Sequence, residues 1–158
     1  MARGYWVAWA GRHLRGPWES LCADYRQRIA RATAIEDRPV RVRTAAADPA
    51  RRRLEGKALL AALPEPCRII ALDASGRSFS SSALARELRA IEARWPHPVG
   101  FVIGSDLGLD PALLERADLV LSFGPMTLGH ELARLVLYEQ VYRCLALARG
   151  IKYHRASL

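Results

Sequence analysis

The sequence predicts an α/β domain whose sheet is mainly parallel and flanked by helices. Three observations carry that prediction. Short apolar segments alternate with stretches of helical periodicity along the whole chain, the βα alternation that builds parallel sheets. One of those segments, Val99-Gly100-Phe101-Val102-Ile103, is apolar at every position, as a strand buried on both faces requires. The 158 residues show no repeat and no long linker, so the alternation is expected to belong to a single domain, 1–158.

Each element can be justified in turn. Tyr5 to Ala10 reads as the first strand. Pro17 opens a helix to about Ala32, since proline is tolerated in a first helical turn. Pro39 to Thr44 alternates apolar and basic residues, a strand with one wet face. Asp48-Pro49 starts a second helix with Asp as its cap; it carries Arg51-Arg52-Arg53 and stops near Leu63, ahead of Pro64 and Pro66. Arg68 to Asp73 is a third strand, and Ala74-Ser75-Gly76-Arg77 a turn. Ser80, Ser81 and Ser82 offer N-caps for a helix to about Arg94. Val99 to Ile103 is the fourth strand, broken by Gly104 to Gly108, and Asp110-Pro111 begins a short helix. Leu119 to Phe123 is the fifth strand. A helix from about His130 to Ala148 closes the chain, with Leu132, Leu135, Val136, Val141 and Leu145 as its expected buried stripe.

Composition narrows the function classes. With 51% hydrophobic and 25% charged residues, the chain can build a core without disulfides. Its three cysteines are odd in number, far apart and free of CxxC spacing, which argues against a zinc site and favours small buried apolar residues. No apolar run approaches the roughly 18 residues that span a bilayer. No signal-peptide layout is present, so a cytoplasmic protein without membrane or metal partner is expected. Net charge is +8, and residues 1–57 hold 13 Lys and Arg against six Asp and Glu. A nucleic acid fits that asymmetry. A biased genome fits it as well, since Arg outnumbers Lys 22 to two.

In open parallel sheets, ligands bind beyond the carboxyl ends of the strands. Three such ends carry unusual loops: Asp73 to Gly76, Gly104 to Gly108, and Gly124 to Gly129. Asp73 could be a dinucleotide fold's ribose-binding acid, but no glycine fingerprint precedes it at the right distance, so that reading fails and an ordinary strand-ending turn fits better. Gly104-Ser105-Asp106-Leu107-Gly108 lacks a phosphate loop's lysine, and Asp106 would repel a phosphate. Its glycines instead permit close backbone approach to a neutral or cationic ligand. In the third loop, Gly124, Pro125 and Gly129 shape the backbone, Phe123, Met126 and Leu128 give polarisable apolar surface, and Thr127 gives one hydroxyl. That lining suits a flat ring such as adenine, or else a tight packed connection. His130, Arg134 and Tyr138 are spaced to share one helix face, which Tyr142 continues. His130 either caps the helix or titrates. Glu139 and Arg143 are spaced as a plain surface ion pair. Tyr153-His154-Arg155 places a ring, an imidazole and a guanidinium together, suited to a base and a phosphate, or to nothing if the tail is inert.

Taken together, "FVIGSDLGL", "LSFGPMTLGHELARLVLYEQVYR", the "LDASGR" segment and the terminal "YHR" resemble the RlmH family (ribosomal RNA large subunit methyltransferase H) over most of the chain. These are small members of the SPOUT class. The resemblance implies a SPOUT-type α/β fold with a C-terminal trefoil knot, the knotted cofactor-binding part lying at about residues 68–158. It implies a homodimer, S-adenosylmethionine (S-adenosyl-L-methionine) as cofactor, and methylation of N3 of a pseudouridine in large-subunit (23S) rRNA on the assembled ribosome. The family's cofactor contacts carry over to Leu72, Gly104, Phe123, Gly124, Pro125, Met126, Thr127 and Leu128. His130, Arg134, Tyr142, His154 and Arg155 are the side chains expected to serve the chemistry, Arg134 and Arg155 as phosphate or carbonyl contacts. One subunit's tail is expected to complete the other's site, with helix 130–148 in the interface. Basic helices around Arg26, Arg28, Arg31 and Arg51-Arg52-Arg53 are candidate docking elements for RNA backbone. The sequence departs from the family at Ser105, usually Gly, and at Gly129, usually Pro; both bear on cofactor affinity. A tRNA-directed SPOUT methyltransferase and a catalytically weak RNA-binding or ribosome-assembly protein are the alternatives.

Overall fold

A computed structural model describes residues 3–12 and 16–153. Five strands, β1 (Gly4–Ala10), β2 (Ala34–Val40), β3 (Arg68–Ser78), β4 (Val99–Ile103) and β5 (Leu119–Ser122), form one sheet in the order β2-β1-β4-β3-β5. Every neighbouring pair is parallel. Five helices, α1 (Pro17–Ala30), α2 (Asp48–Ala61), α3 (Ser81–Arg94), α4 (Pro111–Arg116) and α5 (His130–Ala148), complete the domain. This is the predicted class.

The period of two in the strands divides the core into two layers. Val7, Trp9, Ile70, Phe101 and Leu121 pack on one face of the sheet with Cys22 of α1, Leu88 of α3 and Leu137 of α5. Ala8, Ala71 and Val102 pack on the other with Leu59 of α2 and Leu113 of α4. Because β4 is the central strand, covered on both sides, all five of its residues are buried. Burial raises the Cys22 thiol to about 11 and the Cys144 thiol to about 12. Among the described residues, no helix is long and apolar enough to cross a membrane.

Three expectations about strands and the last helix are corrected. The second strand is Ala34–Val40, and residues 41–47 have no regular structure. Glu36 and Asp37 hid the strand, and Pro39 is accepted because β2 is an edge strand with no ladder partner on its outer side. Residues 74–77 are not a terminal turn but a bulge inside β3. Leu72 and Arg77 both pair with Leu121, so the chain loops out and rejoins β5. On α5 the buried residues are Glu131, Arg134, Leu137, Tyr138, Val141, Cys144 and Ala146, so of the expected stripe only Val141 is fully buried. Leu132 is exposed, and Leu135, Val136 and Leu145 are half-buried. A core-facing arginine and tyrosine displaced the leucines because acids from elsewhere in the chain satisfy their polar ends.

Helix caps follow the same logic. Ser80 accepts a hydrogen bond from the Ala83 amide at 3.1 Å and starts α3 as predicted. Asp48 does not cap α2; Ala47 holds that position, and Asp48 stands in the first turn, where its charge opposes the helix dipole favourably.

Candidate functional site

The carboxyl ends of β3, β4 and β5 converge on a cavity of about 500 Å³, lined by residues 72–74, 103–106, 108–109, 121, 123–124, 126–130 and 133. The three unusual loops of the sequence therefore share one site. Leu72, Gly104, Phe123, Gly124, Met126, Thr127 and Leu128 stand on its wall, and so does His130. Pro125 is exposed and lies off the wall.

Small groups fix these loops. The Ser122 hydroxyl accepts from the Gly124 amide at 3.0 Å and lies 3.2 Å from the carbonyls of Ala74 and Gly124, one of which takes its proton. Its approach to Ala74 sets the end of β5 against the bulge of β3. Gly124 has φ of 114°, which a side chain would strain. At Gly104 a Cβ would come within 2.7 Å of the Gly108 carbonyl carbon, so the loop closes tightly only over glycine. The departure at Ser105 has a local reason. Its hydroxyl donates to Glu55 of α2 at 2.6 Å and accepts from the Leu107 amide at 3.3 Å. Arg51 lies 3.6 Å from the same Glu55 carboxylate and 3.1 Å from Asp106. The side chain at 105 anchors the pocket loop to α2.

The electrostatics select a class of ligand. Among the described residues no Lys or Arg lines the cavity, while Asp73 and Asp106 both stand on the wall. Such a site disfavours phosphate and favours a neutral or cationic group. Its volume suits a nucleoside-sized molecule.

His130 opens α5 with its ring against Gly11, at the carboxyl end of β1. Its Nε2 lies 2.9 Å from the Arg12 carbonyl. A carbonyl only accepts, so Nε2 carries the hydrogen, and in the neutral ring Nδ1 is the accepting atom.

Arg134 is turned away from this cavity. Its side chain is fully buried, with Nη2 3.0 Å from both Asp37 oxygens and Nη1 and Nη2 3.1 Å from Glu19. The guanidinium also stacks 4.2 Å over Trp9. Tyr138 donates to Asp37 from the same helix face. Burial, with the Asp37 charge adding to it, pushes the Tyr138 hydroxyl well above its ordinary value. The predicted shared face of Arg134 and Tyr138 exists, but it faces the core. Asp37, Glu19, Ser122 and Glu55 were missed by the sequence reading, because each acts on a partner far away along the chain.

Tyr142 lies twelve residues beyond His130, about 18 Å along the helix axis. Its ring meets Tyr25 at 6.2 Å and Tyr153 at 4.7 Å. The Tyr153 hydroxyl lies 3.2 Å from that of Tyr25 and donates to Glu139 at 3.2 Å. Glu139 also pairs with Arg143, as the spacing predicted, and Arg143 stacks 4.9 Å over Tyr153. This aromatic group is at the amino end of the sheet, opposite the cavity. His154 and Arg155 lie outside the described residues.

Known proteins bear on this arrangement. The family described as "Predicted SPOUT methyltransferase" matches residues 5–154. A ribosomal RNA large subunit methyltransferase H from Rhodospirillum centenum is 39% identical over 151 residues, covering 96% of this chain and 98% of that protein. Its namesake from Solidesulfovibrio magneticus is 46% identical over 144 residues, 89% and 92% of the two chains. That from Rubrobacter xylanophilus is 41% identical over 162 residues, 98% and 99%. Among solved structures, a probable methylase family protein from Haemophilus influenzae shares the fold with a TM-score of 0.54 at 12% identity, covering 98% of this chain and 71% of that one. By sequence over nearly its full length, and with the fold in agreement, this chain belongs to the SPOUT methyltransferases, within the RlmH family.

Proposed function

We propose that this chain is an S-adenosylmethionine-dependent methyltransferase of large-subunit ribosomal RNA, acting at N3 of a pseudouridine in 23S rRNA on the assembled ribosome. The observation that carries the cofactor is the cavity at the ends of β3, β4 and β5: nucleoside-sized, without Lys or Arg among the described residues, and with two carboxylates on its wall. That donor set fits an adenosine bearing a cationic sulfonium and no phosphate. Bound there, the cofactor supplies an electrophilic methyl group. The loop 123–128 and the backbone at Gly104 would hold it, with Asp73 and Asp106 as the nearby negative charges.

The target imide must lose its N3 proton. His130 lines the cavity and keeps its Nε2 hydrogen on the Arg12 carbonyl, so the Nδ1 of its neutral ring is the acceptor assigned to that proton. Tyr142 sits too far along α5 to serve the same cavity. A homodimer resolves this, one copy's Tyr142, His154 and Arg155 reaching the other's cavity. Support comes from α5, which leaves Leu132 exposed and Leu135, Val136 and Leu145 half-buried outside its core-facing stripe. The C-terminal knot is part of the same reading. Loops 104–109 and 123–130 meet across one cavity, as a threaded C-terminal segment would bring them. The domain is taken as a single unit over 1–158, its knotted cofactor-binding part at about 68–158, and the enzyme as cytoplasmic.

Transfer of labelled methyl groups from S-adenosylmethionine to whole ribosomes, free 23S rRNA and tRNA tests this. Ribosomes should be the preferred acceptor. Preference for tRNA would move the enzyme to a different substrate, and failure to bind the cofactor would leave an RNA-binding module.

A further inference from the structure

A parallel sheet sends all its strand ends one way, and the cavity lies at the carboxyl end. The chain leaves β2 at Val40 on that same end, crosses residues 41–47, and enters α2, which runs back toward the start of β3. The first turns of α2 therefore stand beside the cavity. Two contacts fix this placement: Arg51 to Asp106 at 3.1 Å and Ser105 to Glu55 at 2.6 Å.

From residue 41 to residue 57 there are six cations and only two acids, Asp48 and Glu55. Glu55 is buried and already engaged by Ser105 and Arg51. Arg41, Arg43, Arg53 and Lys57 are exposed. No ion pair holds any of these four among the described residues. The other basic helix of the amino-terminal half differs. Arg26 is taken by Glu19 at 2.8 Å and Arg28 by Asp24 at 2.7 Å. Arg28 also lies at the far end of α1, which runs away from the cavity.

We infer that the face formed by residues 41–43 and the outer side of the first half of α2 docks the phosphate backbone of a structured RNA. This rests on the reading that the substrate is RNA. Among the described residues the cavity wall holds no Lys or Arg, so most of the charge that grips a polyanion belongs on an adjacent surface. The exposed cations there are mostly arginines, whose planar forks match phosphate oxygens. Arg51 and Glu55 join this surface to the cofactor loop through Asp106 and Ser105. RNA docked on α2 therefore sits at a fixed distance from the reacting methyl.

The test compares two full-length triple variants. R41A/R43A/R53A removes three charges from the proposed face. R31A/R94A/R116A removes three from the opposite end, where α1, α3 and α4 finish. The first should raise KM for ribosomes about tenfold and lower the slope of log KM against log salt by about 2. Its affinity for S-adenosylmethionine and its melting temperature should match wild type. The second should stay within about twofold of wild type in KM. A first triple with unchanged KM and salt slope, or equal losses in both triples, overturns the surface. Failure of the functional reading looks different: wild type then transfers no methyl to ribosomes, and equilibrium binding of 23S rRNA to the two triples still decides the docking face. Equal binding by both triples would overturn it there.

Discussion

Arg134 and Asp37 are 97 residues apart, yet Nη2 of the one lies 3.0 Å from both carboxylate oxygens of the other. The pair joins the last helix to the edge strand, and Glu19 at 3.1 Å adds α1 to the same knot of charge. With Arg26 3.5 Å from Asp37 and Glu131 3.9 Å from Arg134, two cations face three carboxylates in a partly buried cluster. Replacing one member leaves the others uncompensated, which is where buried ion pairs are most sensitive.

Arg134→Met should therefore destabilise the fold by about 3 kcal/mol, or roughly 6–12 °C in Tm. Thermal unfolding reads this directly. The accompanying change R134M/D37N should recover part of the loss. Below its melting point the single variant should still bind S-adenosylmethionine. A variant as stable as wild type but without turnover would return Arg134 to the reacting centre.

Gly129 sits before α5 with φ of −59° and ψ of 146°, and a Cβ there would meet nothing within 4 Å. These are proline's own angles. Gly129→Pro should be accepted without strain and stabilise the protein by about 0.4–1 kcal/mol, chiefly by restricting the unfolded chain. Cofactor titration should show equal or tighter binding, because the loop before His130 is stiffer. Weaker binding together with a lower Tm would mean that the loop must move through angles closed to proline.

Glu19 gives a pH signature. Burial alone would raise its carboxyl, but the hydrogen bond from Arg26 and the charge of Arg134 outweigh that and hold it below its ordinary value of 4.5. A depressed carboxylate stabilises the native state above its unfolded pKa, and that contribution fades as pH falls through the folded value. Urea unfolding should show Glu19→Gln less stable than wild type at neutral pH, with the gap closing below about pH 4.5. A gap that stays constant down to pH 3 would remove Glu19 from the ion network.

The site was more legible in the sequence than the scaffold around it. Glycine and proline mark strand ends whatever the tertiary context, so Gly104, Gly124 and Gly129 disclosed the loops that meet at the cavity. The central strand was plain because burial on both faces leaves no room for a polar residue. The edge strand was not, since Asp37 pairs with an arginine that no local pattern connects to it. The same distant pairing inverted the expected stripe of α5. The bulge at residues 74–77 was invisible as a bulge because its partner, Leu121, is set by the sheet and not by neighbours in sequence. The side chain at Ser105 has no reason among its sequence neighbours, because the carboxylate that its hydroxyl meets, Glu55, is 50 residues away.

The central claim is that this chain places a methyl group on N3 of a pseudouridine in 23S rRNA. Mass spectrometry of the 23S rRNA fragments that contain pseudouridine, from cells with and without this gene, tests it most directly. One pseudouridine should carry an added methyl in the first sample and be bare in the second, restored by the wild-type gene. An identical modified nucleoside in both samples would contradict it.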